Sequence, residues 1–112
     1  MASRDEIWLT DFGDPYPGEP AQHRPALAIG PPDAFGSDFP FVIVAPLTTT
    51  RRGLSLHIEV EPDDDNGLSE LSYVQCELLR SINRRRLSAP LGVVDSVTAT
   101  AVSGVIRALM EH

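Results

Sequence analysis

The sequence predicts a mainly β domain of the α+β class: a small, strongly curved barrel with a single C-terminal α-helix packed on it. Three observations carry that prediction. Short runs of β-forming residues, separated by proline- and glycine-rich turns, fill the chain as far as Leu79. Beyond Asp95 the apolar residues change from a period of two to a helical period. No repeat, low-complexity linker or composition break divides the 112 residues, so 1–112 reads as one domain with one modest core.

Ile7-Trp8-Leu9-Thr10 reads as the first strand, and Asp14-Pro15-Tyr16-Pro17-Gly18-Glu19-Pro20 as an irregular, exposed loop. Ala26 to Ile29 is a second strand, entered at Pro25, where proline's missing donor does little harm. Phe39 to Leu47 holds the densest β-forming run, Phe41-Val42-Ile43-Val44, and is the expected central strand. Leu56 to Glu61 alternates, so Leu56, Ile58 and Val60 should face the core and His57 should sit in solvent. Asp63-Asp64-Asp65-Asn66-Gly67 is a turn, with Asn-Gly supplying the positive-φ signal. Tyr73 to Leu79 alternates again, with Val74, Cys76 and Leu78 on one face and Tyr73, Gln75 and Glu77 on the other. From a cap at Asp95 or Ser96, the residues Val97, Ala101, Val102, Val105, Ile106 and Leu109 form one helical stripe. Valines, threonines and Gly104 give this helix little intrinsic propensity, so it needs a surface to pack on.

Composition narrows the function. No run could span a bilayer, and the polar N-terminus has no secretory pattern. Cys76 is the only cysteine, which excludes an internal disulfide framework and suits a reducing cytoplasm. The net charge of −7 does not advertise a nucleic-acid binder. All nine basic residues are nevertheless arginines, whose planar fork grips phosphate, and five fall in the clusters Arg51-Arg52 and Arg84-Arg85-Arg86. Asp64, Asn66 and Gly67 match part of a calcium-binding loop, but Pro62 and Tyr73 stand where its first and last carboxylates belong. Cys76 points inward and reads as a buried, inert thiol. No zinc spacing, nucleophile elbow or phosphate-binding glycine loop is present, so no metal and no cofactor is expected.

Two segments remain. In His23-Arg24-Pro25 the proline holds Arg24 extended, so its side chain can project from the barrel rim. Thr48-Thr49-Thr50-Arg51-Arg52 places hydroxyls and guanidiniums where the central strand ends. A guanidinium with a hydroxyl suits a phosphate that gains charge in a pentavalent transition state. An ordinary surface arginine and a run of good strand residues account for the same segments.

The order of motifs resembles that of the MazF/PemK toxins. Glu6-Ile7-Trp8-Leu9-Thr10-Asp11-Phe12 is similar to the family's opening strand, and Arg24-Pro25-Ala26-Leu27-Ala28-Ile29 to its R-P-x-L-V-I strand. Val44-Ala45-Pro46-Leu47-Thr48-Thr49-Thr50 resembles V-x-P-[IL]-T-[ST], followed by Arg52-Gly53-Leu54. Val74-Gln75-Cys76-Glu77-Leu78-Leu79-Arg80-Ser81-Ile82 resembles V-x-C-[DE]-Q-[IL]-R-[ST]-[IV]. The resemblance implies an SH3-like barrel of the MazF/CcdB kind, a homodimer in the bacterial cytoplasm, and silencing by a cognate antitoxin. It also implies metal-independent, sequence-specific cleavage of single-stranded RNA (mRNA) by its own 2′-hydroxyl, leaving a 2′,3′-cyclic phosphate and a 5′-hydroxyl.

Carried over by motif, Arg24 and Thr48 are the implied catalytic residues. Glu77, Glu19 and His23 are candidate acids or bases. Thr49, Thr50, Arg51, Arg52, Gln75 and Arg80 are the implied RNA contacts. The loop before Arg24 is a residue shorter than the family pattern and lacks its second glycine. In the branch that uses the carboxylate at Glu77 as base, an arginine stands where this chain has Gln75. A gyrase-poisoning toxin of the same barrel type would end in Trp-Gly-Ile, whereas this chain ends Leu109-Met110-Glu111-His112. A catalytically inactive barrel that acts only by binding a protein is the remaining alternative.

Overall fold

The computed structural model describes residues 3–14, 16–17, 22–31 and 39–111. In chain order these form β1 (Glu6–Asp11), β2 (His23–Gly30), β3 (Phe41–Thr48), β4 (His57–Val60), β5 (Ser72–Gln75), β6 (Arg80–Asn83), β7 (Leu87–Val93) and α1 (Ser96–Met110). The strands make one seven-stranded antiparallel sheet, ordered β4-β5-β3-β2-β1-β7, with β6 also paired to β3. The α+β class and the terminal helix are as predicted. The sheet is not a closed barrel: among the described residues β4 and β7 do not pair. Its two ends are instead drawn together by the turn after β4, where Val93 N–H donates to Asp65 O at 2.8 Å.

Strands β2 and β3 are buried on both faces, which explains their dense apolar sequences. One face carries Leu27, Ala45 and Leu47, joined by Ile7 and Val74 and covered by Val102 of α1. The opposite face carries Ala26, Ala28, Val42 and Val44 with Phe12 and Ile82. Strand β2 begins three residues earlier than predicted, at His23, and pairs Pro25 with Leu9 of β1. Its pairing with β3 reaches only from Gly30 to Ala26, so Pro25 lies just past that ladder and withholds no bond from it.

The predicted strand from Tyr73 to Leu79 is broken. Strand β5 pairs with β3 at Leu47–Val74, and β6 pairs with it at Val44–Arg80, both on the edge away from β2. The second register is offset from the first by three residues. Those three are Cys76–Leu78, which form a single 3₁₀ turn closed by Leu79 N–H to Cys76 O at 3.3 Å. Cys76 still points into the core, while Glu77 is lifted out of the ladder.

Asp95 caps α1, its Oδ1 accepting from Thr98 N–H at 2.7 Å. The stripe facing the sheet is Ala99, Val102, Val105 and Ile106. Val97, Ala101 and Leu109 were expected in that stripe but are exposed, Val97 by 78%. The β-branched residues alone did not fix the rotation; the docking of α1 on β4 and the 3₁₀ turn does. The acidic turn is held by its own side chains. Asp63 Oδ1 accepts from Asp65 and Asn66 N–H, both at 2.8 Å, and Asn66 Oδ1 accepts from Leu68 N–H at 3.0 Å. Among the described residues no helix is long and apolar enough to cross a membrane.

Candidate active site

Alternation along the strands sends one set of side chains away from α1. On β2 these are Arg24, Ala26 and Ala28, and on β3 they are Val44, Pro46 and Thr48. Ala26 and Pro46 are the last pair of that ladder. Two residues beyond it, at the same end of adjacent strands and on the same face, stand Arg24 and Thr48. Arg24 is half-buried, faces Thr10 of β1, and makes no ion pair with another described residue. Thr48 is half-buried, and its Oγ1 accepts from Thr50 N–H at 3.2 Å. Because that oxygen is used as an acceptor, its own O–H remains a donor for an incoming group.

The row continues across the sheet. Thr48 pairs with Tyr73 of β5, and Tyr73 with Glu59 of β4. One step along, Gln75 pairs with His57. Gln75 is 6% exposed and its Oε1 has no partner. Glu77 follows on the 3₁₀ turn, with Oε2 2.8 Å from His57 Nε2. His57, expected in solvent, has a side chain only 2% exposed. From Tyr73 to Glu77 the chain advances four positions, at most roughly 13 Å, past the end of β5 and onto the 3₁₀ turn.

The other sequence candidates do not all share this face. His23 is exposed and, one residue from Arg24 on a strand, points to the opposite side, where it lines a cavity with Asp11, Gly13 and Gln22. Glu19 lies outside the described residues. Thr49, Thr50, Arg51 and Arg52 are exposed beyond β3. Thr49 borders a cavity with Pro25 and Leu68, while Arg51 borders a cavity of ≈360 Å³ with Leu54, His57, Glu59 and Tyr73. Arg80 stacks its guanidinium 5.6 Å from the centre of the Phe12 ring. Cys76 is 1% exposed, and burial, helped by the nearby Glu77 charge, pushes its thiol up to about 11. It is the inert thiol the sequence suggested.

Sequence reasoning missed His57 and its partner Glu77 as a unit. The signal was the shared outward phase of His57 on one strand and Glu77 after the next. The long connection between β4 and β5 hid which residues would meet.

These features define a class: a small antiparallel-sheet domain whose polar face offers a guanidinium and a hydroxyl at one strand end and a carboxylate nearby. The fold is shared with MazF of Deinococcus radiodurans, with a TM-score of 0.82 and 20% identity over 97% of this chain and 96% of that one. It is shared also with the Mycobacterium tuberculosis toxin MazF-mt6, with a TM-score of 0.74 and 26% identity over 90% and 91%. A mycobacterial endoribonuclease solved with its cognate antitoxin matches with a TM-score of 0.77 and 21% identity over 96% and 93%. Residues 3–110 match the PemK-like, MazF-like toxin family of type II toxin–antitoxin systems, and the chain belongs to that family.

Proposed function

We propose that the chain is a sequence-specific endoribonuclease toxin that cuts single-stranded RNA without a metal ion, works as a cytoplasmic homodimer, and is silenced by a cognate antitoxin. The observation that carries this reading is the placement of Arg24 and Thr48 at one end of adjacent strands, on one face. Arg24 binds the scissile phosphate and offsets the charge that grows on its oxygens as the phosphorus becomes pentavalent. The Thr48 hydroxyl donates to a second phosphate oxygen. The ribose 2′-oxygen forms the new bond to phosphorus while the bond to the 5′-oxygen breaks. The 2′-hydroxyl gives up its proton to a base, for which Glu77 is the candidate on this face, and the leaving 5′-oxygen gains a proton. Thr49, Thr50, Arg51, Arg52, Gln75 and Arg80 are the proposed RNA contacts. The mycobacterial endoribonuclease in complex with its cognate antitoxin supports an antitoxin as partner.

The test is cleavage of a long mixed-sequence RNA by wild type, Arg24→Ala and Thr48→Val, each checked for a native melting curve. Arg24→Ala should slow cutting by about 10²–10³-fold, the usual cost of one preorganised donor, and Thr48→Val should slow it less. Full activity in Arg24→Ala would move the chemistry elsewhere. A wild-type protein that binds a partner protein but cuts no RNA would favour the binding-only alternative.

A further inference from the structure

His57 opens β4 directly across from Gln75 of β5. Its backbone is partly open to solvent, yet its imidazole is 2% exposed and bonded to Glu77. Two atoms of this cross-strand pair, His57 Nδ1 and Gln75 Oε1, are enclosed without a hydrogen-bond partner. Unpaired buried polar atoms are costly, and a phenylalanine would fill such a place without that cost. What the histidine has in place of that packing is a single side-chain bond, to Glu77. His57 also lines the cavity shared by Arg51, Glu59 and Tyr73, so one residue borders that cavity and bonds Glu77.

Resting on the ribonuclease reading, we propose that His57 is a positioning residue that fixes the Glu77 carboxylate as the base of the cleavage step. Glutamate on a three-residue turn has rotamers to spare, and no other described residue hydrogen-bonds its carboxylate. His57 is held in a paired strand and ties Glu77 down across 20 residues of chain. The Nε2–H donates to Oε2, which leaves Oε1 free as an acceptor. The Glu77 side chain is 28% exposed against 2% for the imidazole, so Glu77 is the solvent-open member of the pair. In the reaction O2′ bonds to phosphorus, the bond from phosphorus to O5′ breaks, and the 2′-hydroxyl proton passes to Glu77 Oε1. The departing O5′ takes its proton from water.

The experiment is single-turnover cleavage of one RNA by wild type, His57→Phe, His57→Gln, Glu77→Gln and the His57→Phe/Glu77→Gln double variant. Each protein is also melted. Phenylalanine fills the buried space without a donor, whereas glutamine can place an N–H near the position of Nε2. His57→Phe should lower the rate constant on the order of 10²-fold, with little change in the RNA concentration giving half-maximal rate. His57→Gln should recover much of that loss, and His57→Phe should add nothing to Glu77→Gln. Losses that multiply in the double variant would overturn the inference, as would a His57→Gln protein as slow as Glu77→Gln. The latter comparison decides the matter if His57→Phe fails to fold. Wild-type cleavage with undiminished His57→Phe would remove this inference alone. Wild-type protein that cuts no RNA would remove the ribonuclease reading and the inference together.

Discussion

A Cβ placed on Gly67 would lie 2.0 Å from the carbonyl oxygen of Leu91. The turn after β4 therefore approaches β7 so closely that no side chain fits between them, and Gly92 meets Asp65 O in the same way at 2.2 Å. This contact joins the two ends of the sheet. Gly67 also has φ +71°, close to the +66° of Gly53, which has open space around it. Gly53→Ala should cost about 1–2 kcal/mol, from the left-handed backbone alone. Gly67→Ala should cost a further ~1–3 kcal/mol, because β7 must shift. Urea unfolding of both variants measures the difference. Equal losses would show that the turn can move away from β7 freely.

Gly104 offers the opposite case. It lies inside α1, and a Cβ there would meet nothing within 4 Å. Gly104→Ala should stabilise the chain by about 0.5–1 kcal/mol, through lower entropy in the unfolded state. Calorimetry checks the sign. A lower melting temperature would mean that another surface covers this face of α1 in solution.

Apolar side chains remain open on the single chain. Phe39 and Phe41 stack edge to face and are each more than two-fifths exposed, and Met110 is 64% exposed. A homodimer would cover such surface. Light scattering at micromolar concentration should give roughly twice the 12.2 kDa chain mass. A protein of single-chain mass that still cuts RNA would contradict the proposed dimer.

The elements legible in the sequence were those with strong local signals. The dense run Phe41-Val42-Ile43-Val44 lies in β3, which is paired on both its edges, and Gly67 takes the positive φ expected of Asn66-Gly67. Asp95 caps as a carboxylate before a helical stripe should. The break at Cys76–Leu78 was not legible, because it arises from one segment pairing with two halves of β3 in different registers. Strands β6 and β7 went unassigned; the 3₁₀ turn Arg84–Arg86 divides them, and Pro90 and Gly92 weaken the strand pattern of β7. Arg24 and Thr48 were named through their motifs, yet their common face follows from the register between β2 and β3, a non-local fact. His57 was misread for the same reason. Its burial depends on Gln75 and Glu77, which reach it only through long-range pairing.

The most direct test of the account is the chemistry of a single scissile bond. An RNA carrying one mapped cleavage site is digested in excess EDTA beside a copy with a 2′-deoxy nucleotide just 5′ of that bond, and the fragment ends are analysed. The account predicts undiminished cutting of the all-ribose strand, with 2′,3′-cyclic phosphate and 5′-hydroxyl ends, and no cutting at the deoxy site, since the nucleophile has been removed. Loss of cutting with EDTA, cleavage at the deoxy position, or fragments ending in a 3′-hydroxyl would contradict it.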